Sequence, residues 1–419
     1  MKRKIAIAVL MCMCLTLTAC GGYTGSRKLE HSGKVVYDFA DSIIDGENYD
    51  KENVNTALTE FSIRLLEKNM LASEEKNKNI LISPVSVISA LGMTSFGAKG
   101  DTLTQMEEVF GVSRGNLTWH NNLFLNPAGD ELKMANSIWF TNDGRLTVKD
   151  EFLYFNKDIY EADVFETAFD SSTVKDINRW VEENTDGGIK EILDEIPPDA
   201  VMYLINALIF EAEWEEKYDT TQIRKSDEFM TGDGETQKVD MMCSYEHSYI
   251  ADESTIGVVK YYKDRKYAFV GLLPWEEMDI TEYVKSLTGE QLQNLLGNIK
   301  SGVVETKIPQ FSYEYDVEMS ELLKEMGMTD AFSSKADFSL MAVSQRGNIY
   351  LNRVLHKTFI EVSPVGTKAG AATVVEAMDE CAPMYDKLQV VELDRPFVYM
   401  IIDFESGMPV FMGVVNSIK

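Results

Sequence analysis

The stretch that decides the fold lies near the C-terminus, His356–Tyr385: HKTFIEVSPVGTKAGAATVVEAMDECAPMY. Thr358–Val362 has the β-branched and aromatic content of a strand. Within Gly366–Thr373 come two glycines, three alanines and two threonines, with Lys368 the only charge. Side chains this small need little volume cleared around them, so the segment is accommodated wherever a gap opens in a packed structure. Val374 and Val375 restore strand propensity, and Glu376–Tyr385 reads as an exposed, irregular loop. Taken alone, the run also reads as a small-residue linker before the last strands. A loop with a strand concealed in it, however, is a segment able to move into a sheet.

The surrounding residues favour the second reading. His356–Val362 followed by Gly366-Thr367-Lys368-Ala369-Gly370-Ala371-Ala372-Thr373 resembles the hinge of the serpin family, where a reactive-centre loop follows a sheet strand. Asp394-Arg395-Pro396-Phe397-Val398-Tyr399 and Phe411-Met412-Gly413-Val414-Val415-Asn416 resemble that family's two closing strands. Asn79–Ser86 through Gly97–Thr102 resembles a further family segment. Asp176–Leu193 is similar to the helix that crosses the front of the main sheet. Tyr203–Ala212, with Glu213, Trp214 and Glu215, is similar to its central strand and tryptophan turn. The resemblance covers roughly residues 53–419 and is weakest at Ser113–Glu131 and Ser244–Thr255. It implies an α+β serpin fold with three β-sheets, about eight or nine helices, an exposed C-terminal reactive-centre loop and a metastable native state.

The chain opens differently. Met1–Ala19 has a basic start (Lys2, Arg3, Lys4), a short apolar core and a small-residue end, the pattern of a signal peptide too short to span a bilayer. Leu17-Thr18-Ala19-Cys20 resembles the bacterial lipobox, which makes Cys20 the lipid-modified first residue and membrane anchor of a secreted, outward-facing protein. Residues 20–52 read as a flexible tether, and 53–419 as one large domain, since strands and helices interleave without a second linker. The net charge of −28 argues against nucleic-acid binding and against electrostatic adhesion to anionic lipid. Once Cys12, Cys14 and Cys20 are set aside, only Cys243 and Cys381 remain, too few for a disulfide scaffold or a cysteine–histidine metal site.

Leu58, Phe61, Leu65 and Leu66 have helical spacing. Ile80–Ile82 reads as a buried strand, and Ser83-Pro84 as an N-cap with proline in the first turn of a helix over Val85–Phe96. Thr104–Phe110, Asp279–Ile299 and Glu318–Met326 are predicted helical. Asn136–Phe140, Met230–Met242, Ile256–Tyr262, Tyr267–Leu273 and Val303–Phe311 are predicted strands. Tyr203–Ala212 is apolar on both faces, as in a strand covered on both sides, so Asn206 needs hydrogen-bond partners.

Enzyme chemistry finds little footing. Gly111-Val112-Ser113-Arg114-Gly115 matches the nucleophile-elbow pattern, but that elbow needs a strand before it and a helix after it. Here a helix precedes Ser113, and a polar loop is expected to follow. The four histidines have no metal-ligand spacing, no phosphate-binding glycine loop is present, and no cofactor is implied.

The resemblance implies suicide-substrate inhibition: a protease, a serine endopeptidase first, attacks the loop, and the cut loop enters the main sheet before the acyl-enzyme hydrolyses. The product is a covalent 1:1 complex of a monomeric inhibitor, with loop–sheet polymers a hazard. Gly366, Thr367, Lys368, Ala369, Gly370, Ala371, Ala372 and Thr373 form the hinge. Ser83, Ser86, Asn206 and His356 match the family's sheet gate. Lys368 stands where the family usually has glutamate, and Pro364-Val365 replace an acidic pair; proline cannot donate in a ladder. An inserted strand of about fifteen residues at roughly 3.3 Å each places the scissile bond at Glu380–Cys381. Met378, Asp379, Met384 and Tyr385 are the alternatives. A non-inhibitory serpin acting as a surface binding protein, and a surface hydrolase using Ser113, are the competing readings.

Overall fold

The computed structural model describes residues 23, 25–29, 50–73, 75–125, 130–275, 278–368 and 389–418. The leader, Cys20 and residues 30–49 lie outside this range. In chain order, strand β1 (Ser26–Lys28) precedes helix α1 (Lys51–Ala72), β2 (Ile80–Ile82), α2 (Pro84–Ser95), α3 (Gly100–Phe110) and α4 (Arg114–Leu125). Next come β3 (Leu132–Thr141), β4 (Leu146–Val148), α5 (Asp150–Tyr160), β5 (Asp163–Thr167), α6 (Ser171–Asn184), β6 (Met202–Phe210) and β7 (Ala212–Glu213). The middle holds β8 (Ile223–Met230), β9 (Thr236–Ala251), β10 (Thr255–Tyr261), β11 (Tyr267–Pro274), α7 (Ile280–Ser286) and α8 (Gly289–Gly297). β12 (Lys300–Pro309), β13 (Phe311–Glu318), α9 (Ser320–Met326), β14 (Ala342–Ser344) and β15 (Leu355–Val362) follow. The chain closes with β16 (Gly366–Lys368), β17 (Gln389–Glu392), β18 (Phe397–Asp403) and β19 (Pro409–Val415).

Two ladders make up the main sheet, β1-β5-β3-β6 and β13-β15-β16-β7. Nine of the other strands form one sheet, in the order β17-β12-β9-β10-β11-β18-β19-β2 with β8 paired to β9 off that path, because the 16-residue β9 belongs to both expected smaller sheets and fuses them; β4 and β14 form a separate two-stranded sheet. The core lies between the main sheet and this large sheet, with α1 and α2 against β19, and a second apolar cluster sits beneath α6 around Trp139, Phe165, Trp180 and Ile205. β6 is therefore covered on both faces, which accounts for its apolar run Met202–Phe210, broken only at Asn206.

Several boundaries differ from expectation. Met230–Met242 is not one strand: it holds the last residue of β8, a hairpin turn closed by Thr231 N–H to Glu235 O at 2.8 Å, and the start of β9. Asp279–Ile299 is two helices, the second restarted by the Thr288–Gln291 capping box. A helix, not a loop, follows Ser113: its hydroxyl accepts from Asn116 N–H at 3.3 Å at the start of α4. Helix α3 precedes Ser113, so the strand that an elbow requires is missing there.

The largest correction concerns the tether. Tyr23 and Gly25–Leu29 are bound to the domain: Ser26, Arg27 and Lys28 pair antiparallel with Thr167, Glu166 and Phe165 of β5. Leu29 N–H extends the ladder to Val164 O at 2.8 Å. The exposed edge of β5 offers unpaired backbone groups, and a short polar strand satisfies them without needing apolar side chains of its own. Helix α1 starts at Lys51, capped by Asp50, two residues before the expected start of the domain at residue 53.

Candidate functional site

β6 continues through Glu211 into β7 and forms one rail of the main sheet, with β15 as the other. At one end β16 is wedged between the rails: Thr367 and Lys368 pair with Val362 and Glu361 of β15, and Gly366 and Thr367 with Glu213 and Ala212 of β7. Gly366 is required there, because a Cβ at that position would overlap the Ala212 carbonyl oxygen. Below the wedge the described residues of β6 and β15 share no ladder. A cavity of about 300 Å³ separates them, walled by Met202–Asn206 and Leu355–Thr358, with Ser83, Ser86 and Val87 of the α2 end among its lining.

The seat of the wedge is built from aromatic side chains. Thr367 is 2% exposed, and its Oγ1 shares a hydrogen bond with Tyr262 Oη at 2.6 Å. Tyr262 is fully buried, which pushes its pKa up, and it stacks on Trp214 at 4.5 Å. Trp214 Nε1–H donates to Ser363 O at 2.8 Å, while Trp214 N–H and Tyr218 N–H donate to Val365 O and Pro364 O, each at 3.0 Å. The Ser363–Gly366 turn is thus held by three donors. Pro364 lies in this turn rather than in a ladder, so its missing N–H costs no strand pairing.

Beneath these rings lies a buried ion pair. Lys260 Nζ is 2.6 Å from Glu246 Oε1 and 4.4 Å from the centre of the Tyr218 ring. Burial alone lowers the lysine pKa, but the Tyr218 and Glu246 contacts outweigh it, so the group stays charged. Ser244 Oγ, two residues away on the same strand β9, donates to the same Glu246 oxygen at 2.6 Å.

The residues expected to gate the sheet fall into two hydrogen-bonded groups. Ser83 N–H donates to His356 Nε2 at 3.0 Å, Ser83 Oγ–H donates to Val410 O at 2.9 Å, and Ser86 N–H donates to Ser83 Oγ at 3.3 Å. Because Nε2 accepts, the neutral ring carries its proton on Nδ1. Burial lowers the His356 pKa to about 4 and keeps the ring neutral. Asn206 joins a different cluster: its Nδ2–H donates to Asn136 Oδ1 at 2.9 Å, an oxygen that also accepts from Ser89 Oγ–H at 2.9 Å. Asn136 Nδ2–H in turn donates to Tyr160 O at 2.8 Å. The Asn206 Oδ1, on the wall of the cavity, is buried without a partner.

Of the hinge, Gly366, Thr367 and Lys368 are in the wedge, and Ala369, Gly370, Ala371, Ala372 and Thr373 lie outside the described residues. So do Met378, Asp379, Glu380, Cys381, Met384 and Tyr385. Sequence reading missed Asn136, Ser89, Tyr218 and Tyr262. The signal available for Asn136 was a lone amide in an apolar strand, the same signal that marked Asn206. Cys243 is half-buried on β9, where burial raises its thiol pKa, and it takes no part in the site.

A split main sheet with a strand entering between two rails is the architecture of one family. The family model described as Serpin (serine protease inhibitor) matches residues 56–418. Human Serpin B8 is 30% identical over 85% of this chain and 97% of its own length. The thermophilic serpin tengpin, solved in its native state, is 41% identical with a TM-score of 0.79 over 93% of this chain and 96% of that one. Its latent state is 40% identical with a TM-score of 0.76 over 89% of this chain and 100% of that one. A serpin solved as a loop C-sheet polymer is 39% identical with a TM-score of 0.74 over 94% of this chain and 99% of that one. The chain belongs to the serpin family, whose members are generally protease inhibitors rather than catalysts and can form loop–sheet polymers.

Proposed function

We propose that this chain is an inhibitory serpin that traps a serine endopeptidase as a covalent 1:1 complex. The protease nucleophile attacks the carbonyl of Glu380, the Glu380–Cys381 bond breaks and an acyl-enzyme forms. The released strand, Gly366 to Glu380, then zips into the gap between β6 and β15 and carries the protease with it before water can hydrolyse the ester. One observation carries this reading: the first hinge residues are already seated in the sheet, and an open slot with an unpaired Asn206 oxygen continues directly below them. Strand addition satisfies backbone and side-chain groups that the intact molecule leaves open, which is the driving force a metastable native state needs.

Within this reading, Ser83, Ser86, His356 and Asn206 restrain the parting of the rails. An acidic residue at the scissile bond selects a protease that cleaves after Glu or Asp. The lipobox-like Leu17–Cys20 supports a position on the outer face of a bacterial membrane, through lipidated Cys20. The test mixes the purified chain with a panel of serine and cysteine proteases, including one specific for glutamate. A denaturant-resistant complex with cleavage after Glu380 is the expected result. Cleavage in the loop without any complex would instead establish a non-inhibitory serpin.

A further inference from the structure

We infer that the domain is held edge-on against the membrane, with β1 and the adjoining turns of α6 as its lipid-facing surface, instead of hanging from a long tether. This rests on the lipidation of Cys20 proposed above. Gly21 and Gly22 alone separate Cys20 from Tyr23. Three residues of fully extended chain span at most about 11 Å, so Tyr23 cannot stand further than that from the anchored residue. A free tether over residues 21–52 would instead have a root-mean-square reach of about 30 Å, at roughly 5–6 Å times the square root of its length.

Tyr23 is fixed in the fold. Its ring packs edge-on against Phe165 at 5.1 Å and Trp139 at 6.1 Å, and the Arg179 guanidinium lies 4.3 Å from its centre. Gly25 N–H donates to the buried Asp176 carboxylate at 3.1 Å, and a Cβ on Gly25 would overlap Ser172 Oγ. Arg27 pairs with Glu166, and Lys28 Nζ lies 2.6 Å from Asp163. Residues 30–49 follow this docked strand, so they add nothing to the distance between anchor and domain. The anchor is thereby joined to the outer edge of the main sheet and to α6, the two elements that flank the ladder β5-β3-β6.

The experiment uses the full lipoprotein in vesicles of phosphatidylcholine and phosphatidylglycerol carrying a headgroup-linked acceptor dye. A donor is placed at Lys175→Cys on the exposed side of α6, in a Cys243→Ser, Cys381→Ser background, and mass spectrometry reads the lipid on Cys20. Strong donor quenching is expected, falling at least twofold when a 20-residue Gly-Ser spacer is inserted between Gly22 and Tyr23. Gly25→Val, which undocks the segment, is expected to lower quenching as the spacer does. Lipid on Cys20 with equal quenching with and without the spacer overturns this inference and leaves the anchor standing. Absence of lipid overturns both.

Discussion

Replacing Thr367 by glutamate puts a charge at the position where the strand enters the sheet. Thr367 is 2% exposed and closed over by Tyr262, and Lys260 beneath the rings is already paired with Glu246, so the new carboxylate is buried without a cation of its own. It must be buried as an ion, at several kcal/mol, or first take up a proton. From an unperturbed pKa of about 4.3, protonation at pH 7 costs about 3.7 kcal/mol, at 1.36 kcal/mol per unit, which is a factor of roughly 500. The variant therefore leaves the seat that Thr367 occupies in the intact molecule and must re-enter it during insertion; where that entry limits insertion, trapping slows by about that factor while deacylation is unchanged, and the inhibitor becomes a substrate. The penalty falls about tenfold per pH unit, to roughly 50 at pH 6 and 5 at pH 5. The assay is the ratio of covalent complex to cleaved product on denaturing gels from pH 5 to 8, normalised to the wild type at each pH. Thr367→Ser, which keeps the hydroxyl, should trap normally. Wild-type yields of complex from Thr367→Glu at pH 7 would refute the reasoning.

Other expectations follow from the buried polar groups. His120 and His356 are held near pKa 4 by burial, below the unfolded value of about 6.5. The unfolded chain therefore binds more protons between these values. Stability is full above about pH 6.5 and falls by up to about 3 kcal/mol per histidine towards pH 4, and His356→Gln should remove half of that slope in urea titrations. Lys260→Met strands Glu246 without its cation and should cost about 3–5 kcal/mol, most of it recovered in Lys260→Met, Glu246→Leu, read by chemical denaturation. Asn136→Ala leaves Ser89, Asn206 and the Tyr160 carbonyl without their partner, at about 1–3 kcal/mol for each buried group. Its melting point should drop, and native gels should show faster polymer formation on warming.

The residues that read most clearly from sequence were those whose local chemistry and tertiary role agree. Ser83-Pro84 caps α2 as its composition dictates, and the same serine is the one hydrogen-bonded to His356. Gly366 reads as a small hinge residue, and the structure adds the reason, a carbonyl too close for any Cβ. Elements whose stability is supplied by neighbours were not legible. The buried face of α4 includes Thr118, His120 and Asn121, so its apolar period is broken although the helix is sound. β1 is polar and three residues long, and it is a strand only because β5 leaves an edge open to it. Tyr262 meets Thr367, and Trp214 meets Ser363 and Val365, across sequence separations that no local pattern records.

The claim that the loop fills a waiting slot is tested most directly by cutting the loop and measuring backbone hydrogen exchange before and after. Amides of β6 and β15 that face the cavity are predicted to gain strong protection, and the thermal midpoint to rise sharply, as the freed strand pairs with both rails. Unchanged exchange in both strands and an unchanged midpoint after complete cleavage would show that the slot is not where the loop goes.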